Sequence, residues 1–249
     1  MSVRKGNDEP PPPNWPSGII YLNKSRISPT FPKEIISFIS PLSTKSRYET
    51  KPIKHPSSTI QIKKIDIQGH PAKGQYGLFA KNKIKPNTLI IPYLGLIHFS
   101  LTIDQEYQNE IDHDQSLLDK GEEEEDIMKD DIIKRQQYDD SEHESSDYDL
   151  SLLRISSSDI QNPWKGKYHI SIGIDASKMG NSARFVNDYR GIPGISKPNA
   201  EFRLGKGENG DLRMEIWSLN EKQIDSKGIQ KGQEILISYG KSWWGARKG

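Results

Sequence analysis

Residues 181–191 read NSARFVNDYRG, and PNAEF follows at 198–202. A mostly polar chain here sets an Arg-Phe-Val-Asn run between Asn181 and Pro198-Asn199. The run has no Gly-x-Ser-x-Gly elbow around Ser182, so a serine hydrolase has no support. Its meaning lies in what surrounds it. Upstream stand a Gly-rich turn at Gly74–Gly77, Tyr93-Leu94-Gly95, Asp175-Ala176 and Gly180-Asn181; downstream stands GQEILISYG at 232–240.

The chain has 249 residues, a formal net charge of +1 and 33% hydrophobic content. That length suits one long domain or two short ones. The near-neutral total hides a split. Asp104 to Asp149 carries 19 acidic against 4 basic residues, a net of −15, which leaves +16 on the rest of a chain totalling +1. A basic body thus carries an acidic insertion. There are no cysteines, which excludes disulfides, Cys-ligated zinc and thiol catalysis. The N-terminus lacks the apolar core of a signal peptide and no run approaches 18 apolar residues, so an intracellular, soluble protein of nucleus or cytoplasm is expected.

Residues 1–17, charged and Pro-rich, are expected to form a disordered arm. Residues 18–57 form an N-terminal addition, in which SPTFPKEIISFIS (28–40) reads as a capped helix with Phe31, Ile35, Ile36 and Ile39 on one face. STIQIKKIDI (58–67) alternates like a strand, with a break expected at Lys63-Lys64. NTLIIPYLGLIHFSL (87–101) holds one or two strands parted at Gly95. The insertion 104–146 has too few large apolar residues to fold alone and reads as a solvated loop. Further short strands are expected at 148–153, 167–175, 200–204, 212–219 and 234–240. The main domain is set at 58–245, with 246–249 as a tail. The fold class is mainly β with few short helices.

Other chemistries find little footing. Gly74 to Gly77 lacks the Gly-x-Gly-x-x-Gly and distant acid of a dinucleotide site, and by itself reads as a hairpin turn. The six histidines never show the i, i+4 spacing of a helical zinc site and read as structural or surface residues. The acidic run lacks the spacing and glycine of a calcium loop. Nothing resembles a base-reading motif, so no specific nucleic-acid ligand is expected.

Taken together and in order, the stretches resemble the SET domain of protein-lysine methyltransferases over residues of about 60 to 245. The resemblance rests on Gly74 with QYGLFA, Tyr93-Leu94-Gly95, Asp175-Ala176, Gly180-Asn181, Arg184-Phe185-Val186-Asn187, Pro198-Asn199 and GQEILISYG. It implies a β-clip-like fold of several small sheets with a knot-like C-terminal crossing. It also implies S-adenosylmethionine as cofactor, held by Gln75, Tyr76, Gly77, Arg184, Asn187, Asp188, Tyr239 and Trp244. Tyr239 would face the methyl-transfer site, and Tyr148 would line the lysine channel with Trp243. The implied partner is a histone tail or another lysine-bearing protein, met by a monomeric, non-membrane enzyme. The alternative is a degenerate SET domain acting as an interaction module.

Four departures from the family pattern bear on that choice. Asp188 stands for the usual His, Tyr189-Arg190 for Ser-Cys, and Ser238 for the Asp before the tyrosine. Gln75 occupies the first glycine of Gly-x-Gly, or else Gly74 is displaced by one residue. Without cysteines there is no zinc-binding flanking module, so Trp243 and Trp244 are expected to help close the channel.

Overall fold

The computed structural model describes residues 6–40, 59–115, 143, 146–207, 210–220 and 228–240. Thirteen strands among these form five small sheets. The largest joins β2 (Arg26–Ile27), β6 (Leu96–Ile103), β8 (Tyr168–Asp175) and β7 (Asp149–Ile155), with β8 between β6 and β7. Its sequences alternate. Ile97, Phe99 and Leu101 on β6 and Tyr168, Ile170, Ile172 and Ile174 on β8 are all buried, as period-two side-chain placement requires. Each such aliphatic side chain contributes about 1.5–3 kcal/mol on burial.

A second sheet orders β11 (Ala200–Lys206), β12 (Leu212–Ser218) and β5 (Leu89–Tyr93). Pro92 can sit in β5 because that strand is an edge. Its carbonyl is taken by the Asn181 side-chain amide at 2.9 Å. β3 (Ile60–Lys64) pairs with β4 (Tyr76–Ala80) in continuous antiparallel register, Ile60 opposite Ala80 and Lys64 opposite Tyr76. The break expected at Lys63-Lys64 is therefore absent; the two lysines simply end the strand, exposed.

The remaining pairs are two-residue parallel ladders that close the chain on itself. β1 (Ile20–Tyr21) joins β9 (Met179–Gly180), and β10 (Asn187–Asp188) joins β13 (Leu236–Ile237). The strand expected over 234–240 is thus short, because side chains replace much of its ladder. Asn199 donates from Nδ2 to the Glu234 carbonyl and accepts the Leu236 N–H at Oδ1, both at 2.8 Å, while its own N–H bonds the Leu236 carbonyl. Gly95 permits a second close approach: a Cβ there would run into the Asp175 carbonyl, so Tyr93-Leu94-Gly95 and Asp175-Ala176 meet backbone to backbone.

Three further expectations change. The arm given as disordered over 1–17 is held in place from Gly6 onward, though most of it stays exposed. The Trp15 ring meets Tyr21 and Phe185 edge-on, its Nε1–H donates to the Ile19 carbonyl, and Asn14 Nδ2 donates to the Ile62 carbonyl. Burial of one large indole against the core outweighs the polarity of its neighbours. The helix expected from residue 28 begins later, as a 3-10 turn at Lys33–Ile35 running into α1 (Ile36–Ile39). Ser28 and Thr30 instead bond each other through their side chains, and Phe31, Ile35 and Ile39 still face the core. Finally, the acidic insertion opens with α2 (Gln105–Gln115), whose Tyr107 is buried against Tyr168. Near its other end His143 is buried, with Nδ1 2.7 Å from Asp175 Oδ2 and its ring stacked on His98 at 4.0 Å. Most of the insertion lies outside the described residues.

Candidate active site

A cavity of about 610 Å³ opens where β4, β10 and the end of β13 converge with the N-terminal arm. Gln75, Tyr76, Tyr148, Arg184, Asn187, Asp188 and Tyr239 all line it, joined by Pro16 and Ile19. Residues scattered over most of the sequence thus meet around one space. A 3-10 turn at Ser182–Phe185 delivers Arg184 and hands the chain to β10; Asn181 caps it, accepting the Ala183 N–H. Sequence reasoning gives no sign of the wall residues Pro16, in the arm read as disordered, and Ile19, in the N-terminal addition that follows it.

Part of the cavity rests on a chain of hydrogen bonds through His70, Glu234 and Asn187. The Ala72 N–H donates to His70 Nδ1 at 3.0 Å, so His70 carries its proton on Nε2. Nε2 then donates to Glu234 Oε2 at 3.1 Å, and Asn187 Nδ2 donates to Glu234 Oε1 at 2.8 Å. A carboxylate only accepts, so the Asn187 nitrogen must face Glu234, leaving its amide oxygen as the acceptor offered to a ligand. Gly77 is not among the lining residues. Its missing side chain makes room for this network: a Cβ there would lie 2.5 Å from Glu234 Oε1.

Aromatic groups complete the lining. Tyr239 donates its hydroxyl to the Val186 carbonyl at 2.8 Å. Burial, reinforced by the negative charge of Asp188, pushes the Tyr239 phenol well above its ordinary pKa, so it remains a proton donor. Tyr93, wholly buried, donates to the Tyr148 carbonyl at 2.8 Å, and burial raises its pKa as well. The Arg184 guanidinium lies 4.1 Å over the Tyr148 ring and donates from Nε to the Ala176 carbonyl at 2.9 Å. Arg184, which also lines the cavity, thus braces the Tyr148 ring through cation–π attraction. Trp243 and Trp244 lie outside the described residues.

The family model for the SET domain matches residues 75–240. The chain belongs to the SET-domain family. Several solved assemblies are similar in structure to this SET domain. One is described as the Chaetomium thermophilum polycomb repressive complex 2: 19% identity, 74% of this chain and 16% of that chain covered, TM-score 0.40. A second, described as ctPRC2 in an autoinhibited conformation bound to S-adenosylmethionine, gives 18% identity, 74% and 15% coverage, and a TM-score of 0.39. The chain thus spans about 15–16% of the length of those chains. No curated protein matches it in sequence. Among the described residues no helix is long and apolar enough to cross a membrane, and no cluster of His, Asp or Glu could hold a metal ion.

Proposed function

We propose that this SET domain is an S-adenosylmethionine-dependent protein-lysine N-methyltransferase acting on a histone or another lysine-bearing protein. The observation that carries the reading is the convergence on one cavity of Gln75, Tyr76, Asn187, Asp188, Tyr148 and Tyr239, the positions that the family motifs single out. The residues fit such a cofactor. The Asn187 amide oxygen, turned away from Glu234, suits the ammonium of an amino acid, and Asp188 beside it lines the same cavity, where its backbone would meet an adenine edge. S-adenosylmethionine supplies an electrophilic methyl group on a positively charged sulfur.

Everything else falls to positioning and electrostatics. The lysine must arrive as a neutral amine, although its ordinary pKa is about 10.4. A cavity walled by Tyr76, Tyr148, Phe202 and Tyr239 strips water from the ammonium, and the buried Arg184 charge behind Tyr148 opposes it further; both favour the neutral form. Tyr239 keeps its proton and presents a fixed dipole at the site, while Tyr93 and Arg184 hold Tyr148 in place. These roles favour an active enzyme over a degenerate interaction module.

Isothermal titration with S-adenosylmethionine tests the reading. Saturable binding to the wild-type chain, weakened about tenfold or more in Asn187→Ala by loss of a charge-assisted hydrogen bond, is the expected result. Radiolabelled methyl transfer to histones and a lysate should then fall about 100-fold in Tyr239→Phe, with cofactor affinity nearly unchanged. Absence of binding at millimolar ligand would sink the proposal.

A further inference from the structure

Three of the departures from the family pattern, Asp188, Arg190 and Ser238, form one hydrogen-bonded cluster, although Ser238 lies 48 residues beyond Arg190 in sequence. Asp188 lies on β10, with only 5% of its side chain exposed, and its carboxylate is fully engaged. Oδ1 accepts the Arg190 N–H at 2.8 Å. Oδ2 accepts Arg190 Nη1 at 2.8 Å and the backbone N–H of Tyr239 at 2.6 Å. The second arm of the guanidinium, Nη2, reaches Ser238 Oγ at 3.2 Å. The same junction is sealed by the Tyr189 N–H bonding the Ile237 carbonyl at 3.0 Å.

We infer that Asp188, Arg190 and Ser238 are positioning residues that together clasp the end of β13 to β10 and set where the Tyr239 hydroxyl stands in the cavity. The inference rests on reading Tyr239 as the tyrosine of the transfer site. Tyr239 is gripped twice, by its N–H on Asp188 and by its hydroxyl on the Val186 carbonyl, so a shift of the clasp shifts the phenol. Arginine is needed because its planar fork reaches Asp188 and Ser238 at once, which the single ammonium of lysine cannot do.

The test uses the full chain with Asp188→Asn, Arg190→Lys and the double variant Asp188→Asn/Ser238→Asp. Two readouts are taken: amide hydrogen exchange at Tyr239, and the split of kcat from KM in methyl transfer. Loss of a charged hydrogen bond should speed Tyr239 exchange about tenfold in Asp188→Asn and Arg190→Lys, leaving β6 and β8 unchanged. In both, kcat should fall about tenfold with KM for the protein substrate within about threefold. The double variant, which returns a carboxylate to Arg190 from the other side, should recover most of each loss. Wild-type exchange in Arg190→Lys and Asp188→Asn, or no recovery in the double variant, overturns the clasp. If Asp188→Asn does not fold, Arg190→Lys decides alone. A wild-type chain that ignores S-adenosylmethionine defeats the functional reading, and the exchange readout then still decides the clasp.

Discussion

The four-stranded sheet and the crossing of β10 with β13 are held by different forces, and the difference separates the scaffold from the cavity. In the sheet, β6 and β8 pair along eight residues each, and the alternating buried aliphatics supply stability through area. In the crossing the ladder is two residues long, and side chains carry the load: Asn199 brackets Glu234 and Leu236, Glu234 ties His70 to Asn187, and Asp188 holds Tyr239. Area is forgiving of small geometric error. A network of buried hydrogen bonds is not, because each broken bond leaves a desolvated group behind. The cavity is built on the second kind of structure, where side-chain positions are set bond by bond.

The contrast can be broken at the sheet. Ile172→Ala, in the middle of β8 and fully buried, should cost about 2–5 kcal/mol of stability. Denaturant unfolding measures this, and cofactor affinity of the folded fraction should stay unchanged. At the crossing, Asn199→Ala removes two 2.8 Å bonds to the C-terminal segment and should cost about 2 kcal/mol. Here, unlike at Ile172, ligand affinity should fall too, since Glu234 and hence Asn187 lose their register. Equal effects of both variants on affinity would erase the distinction.

The smallest and most specific effect concerns Asp175, at the end of β8. Burial pushes its carboxyl pKa up, but donors from His143, Ser177 and Ser146 outweigh this and hold it at about 2 rather than 3.8. A lowered folded pKa means stability that is present above the unfolded value and lost as pH falls through the folded one. Asp175→Asn should therefore cost about 1–2 kcal/mol near neutrality. The gap to wild type should be full above pH 3.8 and close as pH falls towards 2, as thermal melts across that range will show. A gap that persists at pH 2 would mean that packing, not the charge, is what Asp175 contributes.

Much of the scaffold is legible along the chain because its cause is local. KYHISIGID predicts β8 almost to the residue, and Gly95 parts β5 from β6 as expected. The N-terminal arm was not legible, since Trp15 finds its partners Tyr21 and Phe185 only once the chain has folded. The same holds for α2, which Tyr107 anchors onto Tyr168 from within an acidic stretch that otherwise reads as a loop.

The sequence by itself determined the family, the mainly β class and the motif residues that gather at the cavity. Those depend on residue type and order. Only the tertiary structure decided what each of them touches there. It turned Gly77 into space for Glu234 and Arg184 into a support for Tyr148, and it brought Pro16 and Ile19 into the wall. It also joined Asp188, Arg190 and Ser238 into one cluster. Hydrogen-bond partners distant in the chain are chosen by the packed fold, and no local pattern encodes which donor will meet which acceptor.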